Sequence, residues 1–243
     1  MQPFLIALQF LTSLPVRLSG MPRPEQVGRS LLYYPVVGLI IGGLLWCVAQ
    51  MTESAAIPLQ AALLLAVWVA LTGGLHLDGL ADSADAWLGG FGDRERTLTI
   101  MKDPRSGPIA VVVLVLLLLL KFAALWTLLA EGQRLALLLA PLLGRTALIG
   151  LFLTTPYVRP GGLGQALAEH LPRAAVRRVL VAVAVLCLLL GESGWLALLV
   201  AAGIGVLARR AMSRRIGGTT GDTAGALLEL TECGVLVALA LQL

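Results

Sequence analysis

The stretch Gly73–Trp87 reads GGLHLDGLADSADAW and follows directly on the apolar run 56–72. It places three carboxylates, Asp78, Asp82 and Asp85, side by side with no basic residue between them. The spacing i, i+4, i+7 puts all three within about 60° of one face of a helix. Like charges at that spacing repel, more so near a membrane where screening is poor. A divalent cation turns the repulsion into coordination. Mg²⁺ in particular takes one or two carboxylates and fills its shell with water and phosphate oxygens. Asp78, Asp82 and Asp85 therefore read as a metal-binding face. His76 lies off that face, as a hydrogen-bonded neighbour or a ligand.

The surroundings of this stretch decide the fold class. Of 243 residues, 58% are hydrophobic and 13% charged, with a mean hydropathy of +0.90. A soluble domain carries about a quarter charged residues. The expected fold is all-α: a polytopic integral membrane bundle of about seven transmembrane helices, forming one domain over 1–243. The expected spans are 31–50, 56–72, 108–130, 135–154, 176–190, 194–209 and 224–243. Residues 1–30 hold a shorter apolar stretch with no basic residue before it and Pro15 within it. They read as an interfacial segment and not as a signal peptide. Cys47, Cys187 and Cys233 lack metal-ligand spacing and read as small buried residues.

Charge sets the expected orientation. Fifteen of the 18 basic residues fall on one side of this topology, in the N-terminal segment and in or beside the loops 73–107, 155–178 and 210–223. The opposite side has only Arg134, while Lys121 and Arg145 fall inside spans. Positive residues stay cytoplasmic. The N-terminus is thus expected on the cytoplasmic side of a cytoplasmic (inner) membrane, with the long polar loops and the active site facing the cytoplasm. The net charge of +4 reflects topology and gives no argument for nucleic acid.

Those loops carry further signals. Met101–Pro108, MKDPRSGP, combines turn residues with Lys102 and Arg105, a point charge and a planar fork for phosphate oxygens. Gly217–Gly225, GGTTGDTAG, runs into the last span, where backbone N–H groups of Gly218, Thr219, Thr220 and Gly221 would face an anion. It is not a Walker A loop, and Asp222 could cap the helix or hold metal. Glu229 and Glu232 are costly inside a span and point to function, with Lys121 and Arg145 as partners. The loop after span four holds Tyr157, Arg159, three glycines and His170. Tyr157 reads as a stacking platform or an interface anchor. Acids, basic residues and a glycine-rich helix start on one membrane face imply phosphoryl transfer on a diphosphate substrate.

Three motifs also carry a resemblance. Gly73–Asp82 with Asp85, Ile100–Arg105, and Gly217–Asp222 with Gly225, Glu229 and Glu232 resemble the signatures of the cobalamin synthase (adenosylcobinamide-GDP ribazoletransferase) family. Fainter matches are Phe10–Thr12, Tyr33–Gly38, Lys121, Arg145, and Tyr157 with Arg159. The resemblance covers nearly the whole chain. It implies a Mg²⁺-dependent transferase joining α-ribazole or its 5′-phosphate to adenosylcobinamide-GDP, with GMP leaving. It implies Lys102, Arg105 and Arg159 on the diphosphate and the Gly218–Asp222 loop on a phosphate. Asp82 or Asp103 would accept the hydroxyl proton. His76, Arg145, Tyr157, Glu229 and Glu232 complete the implied substrate-binding set. Ser13 and Ala110 depart from the family pattern, which usually has a basic residue and a glycine there. Expected partners are the two substrates and the bilayer, with a homo-oligomer or other enzymes of the pathway left open. Two other readings stay open: a CDP-alcohol phosphotransferase-like enzyme, disfavoured because Asp82 stands where that motif has arginine, and a membrane transporter.

Overall fold

A computed structural model describes all 243 residues as twelve α-helices with one short 3₁₀ turn. They are α1 (Gln2–Leu11), α2 (Pro24–Ser30), α3 (Tyr34–Met51), α4 (Ile57–Thr72), α5 (Leu75–Gly89), α6 (Arg94–Ile100), α7 (Pro108–Ala130), α8 (Ala136–Thr154), α9 (Gln165–Glu169), α10 (Arg173–Leu189), α11 (Gly191–Ile216) and α12 (Gly221–Leu241). Proline in the first turn opens α1, α2, α3, α4 and α7, where its missing N–H costs nothing.

A helix stands at each of the seven expected spans; by length and composition five stretches cross a membrane, or six if the bent pair Ile57–Thr72 and Leu75–Gly89 is one span. The five are Pro24–Met51, α7, α8, α11 and α12. Helix α4 has 16 residues and α10 has 17. At 1.5 Å per residue each falls short of a hydrocarbon core of about 30 Å. Helix α4 instead continues into α5 through an 88° bend. Gly73 and Gly74 make the bend with φ of +63° and +71°, a left-handed pair that side-chain-bearing residues resist. The 73–107 segment is therefore no open loop, because α5 turns across the end of the bundle and packs on α7 and α12. Likewise α11 runs to Ile216, seven residues past its expected end.

Ser13, which stands where the family pattern usually has a basic residue, makes local hydrogen bonds to α4. Its backbone N–H donates to the Leu71 carbonyl (2.7 Å) and its hydroxyl to the Ala70 carbonyl (2.6 Å), satisfying orphan acceptors at the end of α4. Helix α1 is tied to the bundle there, with Ile6, Ala7 and Leu11 buried.

The core centres on α3, α8 and α12. A Cβ at Gly38 or Gly42 would lie 2.5 and 2.6 Å from α8 carbonyls, so α3 and α8 touch backbone to backbone. The four basic segments gather at one end of the bundle. There Arg94 Nε donates to the Ile216 carbonyl (2.9 Å), and Arg215 Nε to the Thr97 hydroxyl (3.0 Å). At the far end Arg134 pairs with Glu53 (2.7 Å) and Gln50.

Candidate active site

The crossing of α5 over the start of α12 builds the site. A Cβ on Gly79 would sit 2.8 Å from the Asp222 carbonyl oxygen, and one on Gly225 would sit 3.2 Å from His76. These two glycines let the helices approach closely enough to bring the α5 acids to Asp222. The resulting patch joins Asp78 (exposed), Asp82 and Asp222 (both half-buried) and Arg159, whose Nη1 donates to Asp222 Oδ2 at 2.5 Å. Asp78 and Asp82 take part in no salt bridge. Asp82 lies on α5, past the bend at Gly73–Gly74. Its carboxyl is pushed up to about 6 by burial and then by the charges of Asp78 and Asp222, against the pull of Arg159.

Asp85 does not join this patch. Its two carboxylate oxygens accept from the N–H groups of Gly107 (2.5 Å) and Ala110 (3.0 Å), capping α7 at its positive end. The expected trio Asp78, Asp82 and Asp85 is corrected accordingly: no cluster of three ligands converges in advance. Helical periodicity placed Asp85 on the same face but could not show that α7 begins against it. Ala110, buried under Asp85, supplies one of the capped amides.

The glycine–threonine loop is also rearranged. The Thr219 amide donates to the Pro156 carbonyl (2.8 Å), the Thr220 amide to the Thr223 hydroxyl (2.9 Å), and the Thr223 amide to the Thr220 hydroxyl (3.2 Å). Gly218, Thr219 and Thr220 are buried. The loop is a capping box, and these amides are spent inside the protein. Of the residues expected to bind phosphate from this loop only Gly221 and Asp222 stay accessible. The gain is rigidity: a parallel bridge ties Thr219 to Tyr157 and thereby holds Arg159 beside Asp222.

Arg145, Glu229 and Glu232 lie deeper, away from any open surface. Lys121 Nζ donates to Glu229 (2.6 Å) and Glu232 (2.7 Å), and Arg145 Nη1 to the other oxygen of Glu232. All four side chains are at most 4% exposed. Two cations and two anions make the cluster neutral, which is how a bundle tolerates charge in its core. Such a closed network lines no path, against the transporter reading.

At the surface, Arg105 forks onto Asp103 (2.9 and 2.7 Å), holding the Asp103 carboxyl down at about 2. Asp103 is thereby a poor proton acceptor, and Lys102 beside it is exposed. Tyr157 stacks on Phe152 with centroids 6.3 Å apart, and its hydroxyl accepts from the Gly164 amide. His76 is buried, and its Nδ1 has no hydrogen-bond partner. Sequence reasoning gave no role to Arg173 and Arg209. They join Arg159 around a polar cleft of about 760 Å³ beside the acid patch. Their only signal had been positive charge at a membrane flank.

Fold and site together define a polytopic helical membrane protein with a carboxylate–arginine centre at one end of its bundle. The chain belongs to the family described as cobalamin-5-phosphate synthase, whose model matches residues 3–240. It is thus a transferase of cobalamin biosynthesis. An adenosylcobinamide-GDP ribazoletransferase of Stutzerimonas stutzeri is 70% identical over 242 residues, covering all of this chain and 99% of the relative. One of Pseudomonas putida strain GB-1 is 68% identical over the full length of both chains. One of Pseudomonas fluorescens strain Pf-5 is 68% identical over 242 residues, 99% of this chain and all of the relative. No solved structure matches the chain.

Proposed function

We propose that this chain transfers α-ribazole or its 5′-phosphate onto adenosylcobinamide-GDP, releasing GMP. The ribazole 3′-hydroxyl oxygen bonds to the phosphorus carrying the aminopropanol arm of the corrinoid. The bond from that phosphorus to the bridging oxygen breaks, GMP leaves with the electron pair, and the hydroxyl proton passes to a carboxylate. The relatives' name describes this substrate and this group, and the family description names a 5-phosphate product. The observation that carries the reading is the Gly79–Asp222 crossing, which sets two unpaired carboxylates against an arginine-held third.

The donor set fits a hard divalent cation. Asp78 and Asp82 are acceptor-only oxygens one helical turn apart, with no protein cation of their own, and Asp82 already resists carrying its charge. Asp78 and Asp82 would hold Mg²⁺, with substrate phosphate oxygens and water completing its shell, and the ion would neutralise diphosphate charge and the charge developing on GMP. Arg159 reaches a diphosphate oxygen from its place on Asp222, and the Arg173–Arg209 cleft next to it takes the nucleotide end of the donor. Of the two carboxylates expected to take the proton, Asp82 is the one left free of a protein cation, since Asp103 is locked to Arg105. The basic end of the bundle faces the cytoplasm of the inner membrane, by the bias of positive residues.

The test is GMP release by purified protein given Mg²⁺, ribazole and the nucleotide-activated corrinoid. Release should require all three, and Asp78→Ala or Asp82→Ala should abolish it while the protein still inserts. Retained release in both variants would sink the metal assignment.

A further inference from the structure

The α10–α11 hairpin is tight at its turn and open nearer the basic end. Beside the turn, the Gly194 backbone packs directly on the Cys187 carbonyl. Further along, Gly150 of α8 and Gly205 of α11 meet nothing, since a Cβ on either would have no neighbour within 4 Å. Glycines in a membrane bundle ordinarily let two helices touch, as Gly38 and Gly42 do on α3. Gly150 and Gly205 instead line a groove of about 480 Å³ between α8, α10 and α11, with Leu227 of α12 among its walls. Leu143, Leu151, Leu180, Val183 and Leu198 make the groove apolar. At the basic end its last lining residues are Thr154 and Arg209. Arg209 Nε donates to the Thr154 carbonyl (3.2 Å), and neither Nη group has an acceptor in the protein.

We propose that this groove holds one acyl chain of an anionic glycerophospholipid, with the lipid phosphate on Arg209. From Leu143 to Thr154, and from Leu198 to Arg209, each helix rises about 16 Å. That matches half of a hydrocarbon core of about 30 Å, the depth of one leaflet. A chain seated against the leucines therefore brings its headgroup to Arg209. Charge selects the headgroup. Arg173, Arg177 and Arg178 open α10, where the helix dipole is already positive, and Arg209, Arg210 and Arg214 stand near the end of α11. None of these arginines is in a salt bridge. The carboxylate lining the neighbouring cleft, Glu169, accepts instead from Gln165 (2.7 Å). A headgroup with its own ammonium adds to the positive excess, whereas an anionic one offsets it, and a basic pocket between membrane helices suits such a lipid. A second copy of this chain, related by an axis along the membrane normal, would bring its own arginines alongside these. Thr154 and Arg209 line the arginine cleft as well, so lipid and cleft share one wall.

Native mass spectrometry of the full chain, delipidated in detergent, tests this. The probes are dioleoyl phosphatidylglycerol, phosphatidylcholine with the same chains, and sn-glycerol 3-phosphate, which has the phosphate and no chain. Wild type should bind one phosphatidylglycerol about fivefold more tightly than phosphatidylcholine, the effect of one arginine at an anionic surface. Glycerol 3-phosphate should not displace it. Arg209→Gln should bring the two lipids to equal affinity. Arg17→Gln, an exposed arginine that lines neither groove nor cleft, should change nothing. Gly205→Leu fills the groove where a side chain meets open space, and should weaken both lipids about tenfold. The lipid-free Gly205→Leu protein should melt no lower than wild type, leucine being the better helix former. If it does not fold, Ala202→Leu on the same wall carries the same expectation. Equal binding of both lipids by wild type overturns the proposal, as does displacement by glycerol 3-phosphate. So does a preference that survives Arg209→Gln or is lost equally in Arg17→Gln. Wild-type lipid affinity in a folded groove-filling variant overturns it too, as does a lipid-free wild-type dimer that such a variant breaks.

Discussion

The buried quartet of Lys121, Arg145, Glu229 and Glu232 allows a charge-balance test. Lys121→Met leaves Glu229 without its only cation, inside a bundle where it is 3% exposed, and gives the cluster a net charge of −1. Glu229→Gln does the converse, leaving +1 shared by Lys121 and Arg145 around Glu232. Breaking one partner of a buried pair costs about 3–5 kcal/mol. The low end applies here, because Glu232 still bonds to whichever cations remain. The double variant Lys121→Met/Glu229→Gln removes one charge of each sign and leaves Arg145 on Glu232. Its cost should fall to about 1 kcal/mol, since a neutral replacement of a buried pair is often harmless. At roughly 2–4 °C per kcal/mol for a chain of this length, each single variant should melt about 6–12 °C below wild type. The double should melt within about 4 °C of wild type by the same scaling. Intrinsic tryptophan fluorescence in detergent reads this well, because Lys121 lies 4.8 Å from the Trp68 ring. A double variant as unstable as the two singles added together would refute the idea that neutrality of the cluster is what the bundle requires.

Other predictions concern the site. Gly79→Ala places a methyl 2.8 Å from the Asp222 carbonyl, so α5 and α12 must separate by a few tenths of an ångström. Misplacement of that order should lower GMP release about tenfold or more, with inserted protein at wild-type levels; an unchanged rate would mean the crossing does not set the acid geometry. Asp85→Asn should cost about 1–2 kcal/mol of thermal stability through the α7 cap, yet keep most metal affinity, whereas Asp82→Asn should do the opposite. Isothermal titration with Mn²⁺ and a melting curve on each separate the two outcomes. The pH dependence follows from Asp82: its carboxyl is raised to about 6, so below that pH a metal ion must displace a proton. Apparent Mn²⁺ affinity should be flat above about pH 6 and fall by up to tenfold per unit below it. Asp78→Asn removes a like charge and should move the break to lower pH. A break that stays put, or moves up, would contradict the electrostatic origin of the shift.

Two kinds of information separate here. The class of the fold, the place of the seven long apolar helices along the chain, the end of α4 at Gly73–Gly74 and the crowding of Asp78 and Asp82 were legible in the chain. Each is a local property: a run of apolar residues, a glycine pair, a helical spacing of four. Partnership was not legible. Nothing in the spacing of Asp78, Asp82 and Asp85 reveals that the third acid caps α7. Nor does anything in it reveal that Asp222, 144 residues after Asp78, lies against α5 at Gly79. Glu232 meets Arg145 only because Gly144 leaves room for it, a Cβ there falling 2.8 Å from the Glu232 side chain. The threonines of the last loop turn inward, with the Thr219 amide on the Pro156 carbonyl and Thr220 and Thr223 bonded to each other. Hydropathy and periodicity act along the chain, so sequence carries them. Hydrogen bonds and ion pairs act over about 3 Å through space, so only the packing of the helices decides who answers whom.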